Sequence, residues 1–238
     1  MNTQEMEMLI KEAVQDADLH PSEIPAIDLY LDQITSLVSE KLKKGSERFA
    51  DRVLTKTMIN NYSKDGLISP IKGKKYTKEQ ILQMLLVYSM KNTLSISEIK
   101  RILQNVYLLE DYNEEMLEEI YKRYLEIKEL ERQEACGMIE GFLERWQFDI
   151  EKDDDFFTFL LGLSAWSSYL KNMVQALLEA RYPDLDAEKK IEEQQKKEEF
   201  KQQKEEKKAA AKAAKKEEKA KKEPSKKQAT EATEKESD

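Results

Sequence analysis

Hydrophobic residues recur at spacings of three and four in separate blocks along the chain, the period of amphipathic helices rather than strands. Thr55 stands where an N-cap belongs, and Met58, Ile59 and Tyr62 follow at helical spacing before Gly66, which predicts a short helix over 55–65. Ser69, Pro70 and Gly73 then punctuate 68–76, predicting a small hairpin with a lysine-rich tip. Thr77 opens a helix to about Lys91 with Ile81, Met84, Leu85 and Tyr88 on one face, and Ser97 is read as the cap of another carrying Ile99, Ile102 and Leu103. The expected order is helix, hairpin, helix, helix.

A longer helix is predicted over 113–146. Its stripe of Leu117, Ile120, Tyr124 and Ile127, continued by Ala135, Ile139, Phe142 and Trp146, calls for a partner helix. Simple packing within one molecule would satisfy it equally. Phe156 to Leu170 is strongly apolar but is interrupted by Lys171 and Asn172 after roughly 15 residues, short of the ~20 needed to cross a bilayer. It is expected to be a buried core helix. From Asp186 onward Lys, Glu, Ala and Gln dominate, which predicts a solvated helix up to Pro224 and disorder after it.

Composition sharpens this division. Of the 238 residues, 39% are hydrophobic and 37% charged, so a folded body is diluted by a polar appendage. The formal net charge of −8 argues on its face against a polyanionic partner. Its distribution does not. Residues 52–104 hold 10 basic against 3 acidic residues, a net +7, whereas 105–185 hold 8 against 19, a net −11. The basic group is Arg52, Lys56, Lys64, Lys72, Lys74, Lys75, Lys78, Lys91, Lys100 and Arg101. Such a concentration is the footprint expected where phosphates dock, although a merely basic solvated surface would look the same.

Little in the sequence suggests catalysis. The sole histidine, His20, has no cysteine or second histidine near it, which leaves zinc binding and histidine base catalysis without material. Asp153 to Asp155 sit where a helix N-terminus favours negative charge. The stretch from Gly66 to Lys75 lacks the spacing and the following Ser or Thr of a phosphate loop. No cofactor, metal or enzymatic activity is expected. The single cysteine, Cys136, and the lack of an apolar stretch behind a basic start in 1–14 suit a cytoplasmic protein outside membranes.

With Tyr62, Gly66 and Leu67 closing the first short helix, Pro70 and Tyr76 bounding the lysine segment, and LSISEIKRIL from Leu94 to Leu103, the block resembles the DNA-binding domain of the MerR family of bacterial transcription regulators. The upstream IPAIDLYLDQITSLVSEKL from Ile24 to Leu42, joined to TKTMINNY, is similar to the YkrK-like bacterial family, a domain of unknown function. The chain departs from the MerR pattern in placing Asn60 and Asn61 where that family usually has an arginine and an aromatic, and in setting about 50 residues before the segment. Ile27 to Leu42 would then be the first helix, its inner face made by Leu31, Ile34, Leu37 and Val38.

The resemblance implies a winged helix-turn-helix, which with the helical C-terminal region and charged tail read above makes the expected fold mainly α. The corresponding divisions are 1–23 as a flexible N-terminus, 24–104 as the DNA-binding domain, 105–185 as an acidic dimerisation or effector region, and 186–238 as the tail. It also implies roles. Lys56, Thr57, Asn60, Asn61 and Lys64 would face the major groove of double-stranded DNA, and the wing lysines Lys72, Lys74 and Lys75 would hold phosphates. A homodimer through the helix after this domain follows from the same resemblance. The aromatic group Trp146, Phe148, Phe156, Phe157, Phe159, Trp166 and Tyr169 is expected to be core, or else the lining of an effector pocket. The alternative to a regulator is a non-enzymatic interaction or scaffold protein whose basic lobe meets an acidic protein.

Overall fold

The computed structural model describes residues 2–42, 45, 53–187, 189, 191–192, 194–202, 204 and 207. It is mainly helical: α1 (Thr3–Val14), a 3-10 turn (Pro21–Glu23), β1 (Leu29–Tyr30), α2 (Leu31–Leu42), α3 (Lys56–Lys64), β2 (Lys75–Tyr76), α4 (Lys78–Met90), α5 (Ile96–Tyr107), α6 (Glu114–Trp146) and α7 (Asp153–Arg181). Residues 1–183 form one compact unit and 184–238 a second, whose described residues are mostly helical and exposed. Arg52 lies outside the described residues, as does everything beyond 207.

Side-chain caps set the helix starts. Thr55 and Thr77 accept hydrogen bonds from the backbone N–H of Met58 and Gln80, as their sequence positions predict, and Asn113 does the same for Met116. α5 begins two residues before the expected start. Ser95, not Ser97, is its cap, because Ser95 and Glu98 form a reciprocal capping box that Ser97 cannot make with Lys100 three residues on. α2 likewise begins at Leu31 rather than at Ile27, which is exposed, because Leu29 and Tyr30 are taken into β1.

The core is built around α4, whose Ile81, Leu82, Met84 and Val87 are fully buried. Ile34 and Val38 of α2, Ile59 and Tyr62 of α3, Ile99 and Leu103 of α5, and Leu117 and Tyr121 of α6 close on it from separate elements. α6 therefore spends the start of its apolar stripe inside its own molecule, with Ile120 and Ile127 left outside. Residues 3–14, expected within a flexible segment, form a capped helix docked on α6, with Met6 buried. That docking is ionic as well as apolar. Asp16 and Asp18, just after α1, receive Lys128 at 2.5 and 2.6 Å and Arg132, and Arg132 Nε also donates to the Val14 carbonyl at 3.2 Å.

Two expectations fail. The apolar run 156–170 is helical but not a buried core helix, since only Phe159 in it is fully buried. The aromatic group is not a single core: Phe148, Phe156 and Phe159 cluster with Phe142, while Trp146, Phe157, Trp166 and Tyr169 stand exposed, and Trp146, Phe148, Trp166 and Tyr169 line an open cavity. Among the described residues no helix is long and apolar enough to cross a membrane.

Candidate nucleic-acid interface

α3 has nine residues and two faces. Ile59 and Tyr62 point into the core, where burial pushes the Tyr62 phenol up to about 12 and keeps it neutral, the neighbouring Tyr88 adding to the effect. Thr57, Asn60, Asn61 and Lys64, at i, i+3, i+4 and i+7, form one exposed stripe, with Lys56 exposed beside Asn60. The helix ends by geometry. Gly66 takes φ +71°, a left-handed conformation that costs glycine little, so that Gly66 N donates to the Ser63 carbonyl (3.3 Å) and Leu67 N to that of Tyr62 (2.9 Å). Tyr62 and Leu67 are both buried, which locks the exit of α3 to the core.

The lysine segment is not a hairpin folded on itself. Its strand β2 pairs antiparallel with β1, Leu29 opposite Tyr76 and Tyr30 opposite Lys75. Leu29 and Tyr76 face inward, and Tyr30 and Lys75 face out, with the Lys75 ammonium 5.1 Å from the Tyr30 ring centre. Residues 67–74 run as a loop, turning at Gly73 (φ +82°) and exposing Lys72 and Lys74.

Two buried glutamines of α4 hold the base of that loop. Gln83 Oε1 accepts from Ser69 N (2.8 Å), and its Nε2 lies 2.9 Å from Ser69 Oγ and 3.0 Å from the Tyr112 hydroxyl. Gln80 Nε2 donates to the carbonyls of Ser69 (3.2 Å) and Pro70 (3.1 Å). Tyr112 OH donates to Glu79 at 2.7 Å, and Tyr107 OH to the Leu67 carbonyl at 3.1 Å. Burial, reinforced by neighbouring groups, raises both phenols well above their ordinary range, so they remain donors at any physiological pH. The sequence reading missed these residues, although two amides set among apolar α4 positions were a visible signal.

The structure therefore carries all eight candidates at the surface, on two elements fixed to α4. It also reduces the basic group as a whole. Lys56 pairs with Asp32, Lys78 with Glu118 at 2.5 Å, and Lys91 lies 4.2 Å from the Tyr88 ring centre. Arg101 donates to the carbonyls of Tyr182 (2.6 Å) and Glu179 (3.3 Å), capping the end of α7 instead of facing a ligand. Among the described residues no carboxylate forms a salt bridge with Lys64, Lys72, Lys74 or Lys75. Thirteen residues, 43–55, separate α2 from α3, far more than the tight turn of an ordinary helix-turn-helix.

No curated protein and no solved structure matches the chain. One family model does, over residues 19–124, from the first buried leucine through the opening turns of α6. That segment contains β1, β2, α2 to α5 and every candidate residue, and it stops short of α7. Over residues 19–124 the chain matches the model of DUF1836, a domain of unknown function.

Proposed function

We propose that this chain is a non-enzymatic, DNA-binding transcription regulator that lays the outer face of α3 in the major groove and holds backbone phosphates with the lysine loop. The observation that carries the reading is the exposed stripe of Thr57, Asn60, Asn61 and Lys64 on a helix whose opposite face and exit are locked in the core. A rigid helix presenting amide and ammonium groups suits base edges, since asparagine can bond bidentately to adenine and lysine can reach guanine or phosphate. The four lysines that form no salt bridge among the described residues supply the counterion release that drives non-specific affinity. The element order of helix, helix, lysine loop with a short strand, helix, helix supports a MerR-like arrangement, with the strand stitched back to β1 in place of a separate hairpin.

Duplex DNA binding followed by fluorescence anisotropy across a salt series tests this. The wild-type protein is expected to prefer some sequences by at least tenfold. Exchanging Lys72, Lys74 and Lys75 for glutamine should weaken binding to all duplexes and flatten the salt dependence by about one unit of slope per lysine. Asn60→Ala with Asn61→Ala should instead remove the sequence preference. Salt-independent binding, or an unchanged slope in the triple variant, defeats the reading.

A further inference from the structure

α7 is held at both ends and bare between them. Near its start Phe159 packs on Phe142 and Phe148, with ring centres 5.9 and 6.4 Å apart. Near its end Leu178 is buried, Gln175 donates to Glu98 at 2.6 Å, and Arg101 grips the last carbonyls. Between these anchors Leu160, Trp166, Leu170, Met173, Val174 and Leu177 expose 46, 48, 46, 46, 42 and 70% of their surface. At 100° per residue the six fall within an arc of roughly 140°, one continuous stripe. Trp166 and Met173 continue the position of Phe159 by sevens, and Leu170 and Leu177 that of Phe156, which is the seam of a coiled coil.

The size of this stripe and its lack of charge identify what fits it. Each of these side chains leaves on the order of 100 Å² uncovered, so the stripe, roughly 600 Å², stands at the upper end of the largest apolar patch a monomer ordinarily exposes and approaches the ~800 Å² per partner of a standard dimer. Between Phe156 and Leu178 the only charged residue is Lys171, in a region, 105–185, that carries 19 acidic residues. Two copies meeting elsewhere on this acidic half would repel each other, and on this stripe they would not. The approach is also open on the α6 side. A Cβ on Gly137 or Gly141 would meet nothing within 4 Å, and both line a 330 Å³ crevice with Phe142, Leu163 and Trp166, where, among the described residues, Arg145 is the one charged group.

We propose that a second copy of this chain covers the face, α7 against α7, with Trp166, Leu170, Met173 and Leu177 at the centre of the contact. The surface differs from the α6 stripe that the sequence suggested, because Leu117 and Tyr121 of that helix are already spent in the core of their own molecule. The inference stands apart from DNA binding: a protein that fails to bind DNA but pairs through α7 keeps it, and a monomer that binds DNA overturns it alone.

Sedimentation equilibrium of the full chain at micromolar concentration should return twice the 27.9 kDa chain mass. The double variant Leu170→Glu, Met173→Glu alters only exposed positions and should sediment as a single chain with unchanged helical circular dichroism. Trp146→Phe leaves Trp166 as the one tryptophan, and its emission should move to longer wavelength as the protein is diluted. A wild-type chain that is monomeric throughout overturns the proposal, whether Trp166 is then solvent-exposed, shielded by another part of the same chain, or buried on adding phosphatidylcholine vesicles. Persistence of the dimer in the double variant overturns it too.

Discussion

Replacing Gln83 by alanine is expected to lower the stability of the 1–183 unit by about 3 kcal/mol, in the range of a buried polar group that loses its partners and leaves a cavity. Gln83 is fully buried and joins three elements: the lysine loop through Ser69, its own helix α4, and Tyr112 before α6. Its removal leaves the Ser69 N–H without its acceptor and the Tyr112 hydroxyl without a donor, both in a partly buried setting. Gln83→Leu separates the two contributions, since it restores the volume while the polar loss of about 2 kcal/mol persists. Urea unfolding reads the stability, and hydrogen exchange at the Ser69 amide reads the loop. If Ser69 exchanges no faster in the alanine variant, the loop is held by something other than the glutamine.

Arg132→Ala is expected to cost about 2–3 kcal/mol, somewhat less than a fully buried pair would, because the side chains of this cluster retain 20–22% exposure. It would leave Asp16 and Asp18 sharing Lys128 alone and would free the Val14 carbonyl at the end of α1. The same cluster governs the acid limb of stability. Burial pushes the Asp16 carboxyl up, but the hydrogen bonds and charges of Lys128 and Arg132 outweigh it and hold Asp16 below the ordinary carboxylate range. A carboxylate with a depressed folded pKa adds stability above its unfolded value, about 3.9, and that contribution fades as pH falls below it. Denaturation midpoints measured from neutral pH downward should therefore drop below about pH 4 in the wild type and drop less steeply in Arg132→Ala. Parallel acid limbs would show that Arg132 does not set the Asp16 pKa.

What the sequence revealed and what it hid follow from the reach of each interaction. Thr55, Thr77 and Asn113 act on backbone three residues away, so their helices could be read directly, as could the stop at Gly66. The Ser95–Glu98 box was equally local and was overlooked in favour of Ser97. The exposure of Asn60, Asn61 and Lys64 followed from their spacing relative to Ile59 and Tyr62. By contrast, β2 is two residues long and its partner lies 45 positions upstream at Tyr30, so no alternation could announce it, and a local hairpin was the natural misreading. Gln83 reaches Ser69 and Tyr112, 14 and 29 positions away, and Arg101 reaches Tyr182, 81 away. For α7, the apolar run 156–170 announced a helix and suggested core, because apolar composition alone does not say whether a side chain meets its own molecule.

The seat of α1 on α6 also bears on the order in which the chain acquires structure during synthesis. A helix of twelve residues is marginal alone in water, and its capping box adds only about 1 kcal/mol. Its lasting contacts come from Arg132, 118 positions beyond Val14, and Cys136, 129 beyond Glu7. At ribosomal rates of roughly 5–20 residues per second, the opening segment waits some 6–24 s before its seat exists. Over that interval the nascent chain presents Met6 and Ile10 uncovered, and α1 becomes permanent only after the hub of helices downstream has emerged.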